Sequence, residues 1–191
     1  MANQWPETHR VYLAPDYPID LQLMDIGDGF HIYSFDMTGE CEWNRVAARE
    51  LLKKLEAYEF DGFVTVQTKS CGLTQAISVN YPKYLELRKS RKAFMVEPKG
   101  IEVQSITTHG KQELWIGREK YEAFRGKKLC FLDDVVSTGG TIEAVLKLAK
   151  EIDIEIVCIC CALTEGGARD NYKGIPLVSL DNIPLPGKIE K

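Results

Sequence analysis

Two adjacent acids, Asp133 and Asp134, are followed after two valines by Ser137-Thr138-Gly139-Gly140-Thr141, and no other segment of the chain is as well equipped for chemistry. An apolar run, Leu129 to Leu132, precedes the acids and reads as a short buried strand that ends in them. Glycines let a backbone approach an anion closely and leave its N–H groups free to donate. A helix read from Gly140 to Glu151 adds unpaired N–H groups and the positive end of its dipole. With the hydroxyls of Ser137, Thr138 and Thr141 as further donors, this loop is a cradle for one phosphate monoester. The acids repel a phosphate but accept hydrogen bonds from vicinal hydroxyls, so the expected ligand is a sugar carrying both a diol and a phosphate. A Walker-type nucleotide site is disfavoured, because the Gly-x-x-x-x-Gly-Lys-Ser/Thr spacing is absent.

Three other features compete for a role. Arg88-Lys89-Ser90-Arg91-Lys92 packs cations together where a solvated charge run and an anion site are both open readings. His109, one of three histidines, has the side chain for acid or base work near neutral pH, while His9 and His31 lie in a stretch with no partnering pattern and are assigned no role. Cys158-Ile159-Cys160-Cys161 contains a CxxC spacing, but a zinc site needs two more ligands at matching spacing and none is visible. Small thiols alternating along a buried strand are the better reading, and six irregularly spaced cysteines in a chain of this size fit a reducing cytoplasm.

The elements that must position these residues follow from periodicity. Trp43, Ala47, Leu51, Leu55 and Tyr58 recur at helical spacing, with Arg45, Arg49, Lys53 and Lys54 left for the wet face. Phe63 to Val66 reads as a buried strand, and Ile154 to Leu163 as another, while Ile142, Val145, Leu146 and Ala149 share one face of the helix after the cradle. Strands alternating with helices predict an α/β fold with a parallel sheet covered on both faces, whose ligands sit beyond the carboxyl ends of the strands. Residues 1 to 40, rich in aromatics, Pro and Gly, read as strands and turns of a peripheral element. The chain has 191 residues, 27% charged and 45% hydrophobic, with no linker or repeat, which predicts one soluble domain over residues 1–191. A formal charge of −4 argues against a generic nucleic-acid binder. Met1 to Arg10 lacks a secretory pattern, and the longest uncharged apolar run, Ile156 to Leu163, is far short of the roughly 20 residues of a membrane span.

Leu129 to Thr141, with four apolar residues, two acids, two apolar residues and then STGGT, resembles the 5-phosphoribosyl 1-diphosphate (PRPP) motif of the type I phosphoribosyltransferases. The resemblance implies that family's fold: a central, mainly parallel sheet flanked by helices, with a small hood built here from about residues 1–40 and 172–191. It implies that Ser137, Thr138, Gly139, Gly140 and Thr141 hold the 5′-phosphate and that Asp133 and Asp134 hold the ribose hydroxyls. The family's pyrophosphate loop matches Lys69, Ser70, Cys71 and Gly72, with Gly72 beginning a helix through Val79; Lys69 and Cys71 depart from the adenine enzymes, and Cys71 is a space-filler rather than a nucleophile. Arg88, Lys89 and Lys92 resemble the RKxxK segment of the adenine and xanthine enzymes and would add charge for the diphosphate. Residues 94 to 128 would form a flexible hood over the reacting centre, closing through 105 to 115. There Thr108 and His109 replace a Glu and Tyr of the adenine enzymes, while Ser105 and Thr107 look more like the xanthine enzymes.

The resemblance implies transfer of the phosphoribosyl group of PRPP to a purine base, adenine first and xanthine next, with Mg²⁺ held mainly by PRPP and a cytoplasmic homodimer as the working form. Val135 and Val136 would line the floor under the base. Ser137, where the hypoxanthine and guanine enzymes usually carry an Asp, favours the adenine or xanthine type. Two alternatives stand beside this: a PRPP-sensing regulator without transferase activity, and a pyrimidine or orotate transferase.

Overall fold

The computed structural model describes residues 5–104 and 111–189. The chain opens with three strands, β1 (Thr8–Ala14), β2 (Tyr17–Asp25) and β3 (Phe30–Tyr33). Helix α1 (Cys41–Leu55), β4 (Gly62–Val66), α2 (Cys71–Ile77) and β5 (Leu85–Leu87) follow. A hairpin of β6 (Lys99–Gln104) and β7 (Lys111–Ile116) and the one-turn α3 (Arg118–Tyr121) come next. After them come β8 (Lys128–Val136), α4 (Gly140–Glu151) and β9 (Glu155–Glu165). Four short strands close the chain: β10 (Asn171–Tyr172), β11 (Ile175–Val178), β12 (Asp181–Ile183) and β13 (Gly187–Lys188).

The main sheet runs β10-β11-β9-β8-β4-β5, with β12 also paired to β9. Every pairing in it is parallel except β10 with β11. Register sets Val64 beside Phe131 and Phe131 beside Ile159, so the centre of the sheet is apolar across three strands. β4, buried at all five positions, has the continuous apolar character of a strand covered on both faces. One face packs against α1, α2 and the small sheet through Ala47, Leu51, Leu73, Cys130, Leu132 and Cys160. The other packs against α4 and the hairpin through Phe131, Val145, Leu148, Ile159 and Leu114. Full burial of a side chain such as Phe131 stabilises the fold by about 1.5–3 kcal/mol, so this two-sided packing, not helix propensity, holds α1 and α4 in place. On α4 the buried face carries Ile142, Ala144, Val145, Leu148 and Ala149, and Leu146 is only half-buried.

Chain ends meet in the second sheet, of order β1-β2-β3-β13, where Gly187 pairs with His31. It is tied to the main sheet where the Tyr12 N–H donates to Asp181 Oδ2 at 2.8 Å. His31 Nδ1 lies 2.8 Å from the Gly29 carbonyl, and His9 packs its ring 5.2 Å from that of Tyr33. All six cysteines are free; Cys158, Cys160 and Cys161 are fully buried and divide between the two cores.

Three sequence expectations change. The strand expected to end at Leu132 continues to Val136, because Val135 and Val136 pair with Leu163 and Thr164 of β9. Helix α2 starts at Cys71 rather than Gly72 and ends at Ile77. Much of the expected flexible cover from 94 to 128 is a hairpin packed on α4 and bridged to the chain after β5 by Arg88 and Trp115. The expected closing residues 105–110, His109 among them, lie outside the described residues.

Candidate functional site

β8 delivers both acids to the carboxyl edge of the sheet. The side-chain alternation of β8 slips there: Leu132 and Val135 pack on the α1 side, while Phe131 and Val136 pack on the α4 side. Separations of three and five residues break a strict period of two. The slip falls at Asp133 and Asp134, and β9 slips opposite them, since Ala162 and Leu163 share a face. The Asp134 N–H donates to Asp133 Oδ1 at 3.0 Å. Burial, then the neighbouring Asp134 carboxylate, raises the Asp133 carboxyl well above its ordinary range, and the Lys89 ammonium opposes that rise. Lys89, itself exposed, therefore reaches the field of the acid pair.

Beyond Val136 the chain turns through Gly139, at φ +87°, into α4. No side chain caps this helix, and its first backbone bond runs from Glu143 N–H to the Gly139 carbonyl at 3.0 Å. The N–H groups of Gly140, Thr141 and Ile142 therefore have no acceptor within the helix. Thr138 is exposed, and Ser137, Gly140 and Thr141 are half-buried, so this turn is open to solvent. An uncapped helix start beside a left-handed glycine is an anion site in waiting.

The loop after β4 lies on the next strand over, with a cis peptide between Gln67 and Thr68. Ser70 is 1% exposed, and its hydroxyl lies 2.8 Å from Thr65 Oγ1 and 3.0 Å from the Val66 carbonyl. Thr65 in turn donates to the Leu132 carbonyl at 2.9 Å, so this hydroxyl pair ties the loop to β8. The Ser70 side chain, expected to meet a diphosphate, is thus consumed inside the fold. Gly72 lies against α1, where an added Cβ would stand 3.1–3.3 Å from the Asn44 side chain. Cys71 is half-buried, and desolvation, with Glu86 beside it, pushes its thiol up to about 11, as suits a space-filler. Lys69 contributes a favourable field to Asp36, on the chain leading into α1.

Arg88 leaves β5 between two partners, with Nη2 3.5 Å from Glu86 Oε1 and its guanidinium 5.6 Å from the Phe94 ring. Lys92 is half-buried, and its backbone N–H meets Met95 Sδ at 3.5 Å. Val136, expected under the base, is 3% exposed and packed with Ile142 and Val145, so it offers the base no surface; Val135 is half-buried and retains one.

Four residues that sequence reasoning passed over shape this edge. Glu86 accepts from Gln67 Nε2 at 2.6 Å and from the Cys71 thiol at 3.8 Å, joining the loop to β5. The two-residue spacing of Glu86 and Arg88 on a strand was a usable sign of their pairing. Arg169 donates to the carbonyls of Ser137 at 2.6 Å and Glu165 at 3.1 Å, and Tyr172 donates to Glu143 Oε1 at 2.7 Å. Lys173 pairs with the same oxygen at 2.5 Å. Nothing local announces these three, because their partners lie some 30 residues away in sequence.

Residues 45–184 match the family model of the phosphoribosyl transferase domain. A hypoxanthine/guanine phosphoribosyltransferase of Methanococcus voltae is 29% identical over 152 residues, covering 78% of this chain and 73% of that protein. Its counterpart in Methanotorris igneus is 30% identical over 146 residues, 72% of this chain and 75% of that one. Among solved structures, an adenine phosphoribosyltransferase of Thermoanaerobacter pseudethanolicus superposes with a TM-score of 0.65 at 19% identity, over 92% of this chain and 95% of that one.

Proposed function

Because this chain belongs to the phosphoribosyl transferase domain family, with the type I fold and with purine enzymes among its relatives, we propose that it transfers the 5-phosphoribosyl group of PRPP to a purine base. The observation that carries this reading is one continuous stretch of chain: an acid pair near the end of β8, Asp133 half-buried and Asp134 buried, then the Gly139 turn, then the uncapped start of α4. In the proposed reaction a ring nitrogen of the base forms a bond to ribose C1 as the C1–O bond to diphosphate breaks, giving a nucleoside monophosphate and pyrophosphate. The transition state carries oxocarbenium-like positive charge on the ribose.

The amides of Gly140 and Thr141 and the hydroxyls of Ser137, Thr138 and Thr141 bind the 5′-phosphate. Asp133 and Asp134 accept from the ribose hydroxyls and place negative charge beside the developing cation. Lys89, already within reach of the acid pair's field, Arg88 and Lys92 supply positive charge to the diphosphate, with the backbone of Lys69 to Gly72 around it. Val135 lies under the base. His109 remains a candidate acid or base for the proton lost from the purine.

The donor set fits Mg²⁺ delivered with the substrate: Asp133 and Asp134 offer carboxylate oxygens, the hard donors that such an ion takes. When bound, the ion neutralises the departing diphosphate. A homodimer in the cytoplasm completes the proposal; among the described residues no helix is long and apolar enough to cross a membrane.

Adenine is the base favoured by Ser137, at the position where an acid would face a 6-oxopurine. The names of the Methanococcus and Methanotorris relatives favour hypoxanthine or guanine as the second reading. Incubation with PRPP, Mg²⁺ and adenine, hypoxanthine, guanine, xanthine or orotate in turn, with pyrophosphate release as the readout, tests all of this. Release with one or more purines is expected. No release with any base, while PRPP still binds, would replace the enzyme by a PRPP-sensing regulator.

A further inference from the structure

Side chains on an α-helix tilt toward its N-terminus. Glu143, in the first turn of α4, would therefore lean back toward the free amides of Gly140, Thr141 and Ile142 if nothing else held it. A carboxylate is attracted there for the same reason a phosphate is. Left to itself, Glu143 would occupy the cradle as an internal anion.

The fold prevents this from the outside. Tyr172, paired to Ile175 across β10 and β11, lays its ring against Gly139 and donates its hydroxyl to Glu143 Oε1 at 2.7 Å. The ring can lie there only because residue 139 has no side chain: an added Cβ would stand 2.3 Å from Tyr172 Cε2. Lys173 holds the same carboxylate oxygen at 2.5 Å, with its ammonium 5.7 Å from the Tyr172 ring centre. Together they keep the Glu143 carboxyl below its usual range. On the other side of the turn, the Arg169 guanidinium binds the Ser137 carbonyl at 2.6 Å and the Glu165 carbonyl at 3.1 Å. That contact offsets the negative end of a peptide dipole beside the anion site and pins the turn to the end of β9.

We propose that Tyr172 and Lys173 are positioning residues for the phosphate, holding the Glu143 carboxylate off the α4 amides. The inference rests on the reading of that helix start as the 5′-phosphate site.

The test is a Tyr172→Phe/Lys173→Ala double variant of the full chain, titrated calorimetrically with ribose 5-phosphate and assayed for KM and kcat with PRPP. A carboxylate released onto a helix start is worth roughly 1 kcal/mol, so about fivefold weaker ribose 5-phosphate binding is expected, with a matching rise in the KM for PRPP. The value of kcat should hold within about twofold, because the base and the acid pair are untouched. Adding Glu143→Gln to the double variant should restore binding, since the amide carries no charge into the cradle. Unchanged affinity in the double variant, or a loss that Glu143→Gln fails to rescue, overturns the proposal and leaves the site reading intact. Failure of the unaltered protein to bind ribose 5-phosphate or PRPP overturns the site reading itself, and the proposal with it.

Discussion

Gly139→Ala puts the cradle's geometry under direct strain. At φ +87° an L-residue costs about 1–2 kcal/mol relative to glycine. The new methyl would stand 2.3, 2.7 and 2.8 Å from Tyr172 Cε2, Cζ and Oη, where carbon atoms in contact ordinarily stand about 3.5–4.0 Å apart. The ring must therefore retreat by more than an ångström, which breaks its 2.7 Å bond to Glu143. Lost to a partly solvated carboxylate, that bond is worth about 1 kcal/mol. The sum is about 2–3 kcal/mol of destabilisation, or a fall in Tm of roughly 5–10 °C for a chain of this length. Urea titration by circular dichroism measures it, and Gly140→Ala is the control: its Cβ meets nothing within 4 Å, so stability should hold or rise. Equal urea midpoints for Gly139→Ala and the unaltered protein would refute the claim that Tyr172 is packed onto a left-handed turn.

Asp133→Asn should cut kcat/KM by at least about a hundredfold, because the ribose loses an acceptor and the cationic transition state a charge; activity within threefold of the parent would contradict the role given to the pair. The same variant tests the electrostatics. The folded-state carboxyl of Asp133 is raised above its ordinary 3.8, so its contribution to stability is full at low pH and is lost as pH rises through the folded value. Asp133→Asn removes that loss, and its urea midpoint should gain on the parent as pH rises above the ordinary carboxylate range; a constant gap would show that the carboxyl is not raised. Cys71, its thiol pushed up to about 11, should resist iodoacetamide at about pH 7.5 while exposed Cys41 is labelled, as peptide mass spectrometry would report; equal labelling would deny the burial beside Glu86.

Residues near one another in the chain determined much of this protein by themselves. The run from Leu129 to Thr141 encodes a strand, an acid pair, a turn and a helix start in order, and the helical spacing of Trp43, Ala47, Leu51 and Leu55 marks α1. Such features are legible because hydrophobic period, glycine content and helix starts are local properties, and the family resemblance rests on them too. What tertiary structure alone decided is which of those groups stay available. Val136 and the Ser70 hydroxyl look as eligible as their neighbours in sequence, yet pairing with β9 drives one into the α4 core and Thr65 takes up the other. The extension of β8 past its acids, and the slip in its pleat, depend on β9 lying alongside. Arg169, Tyr172 and Lys173 acquire their meaning only when β10 and the turn before it fold against Gly139 and Glu143. The chemistry of the cradle is written in a short stretch of chain, while the charge balance that leaves it open is set by contacts some 30 residues apart.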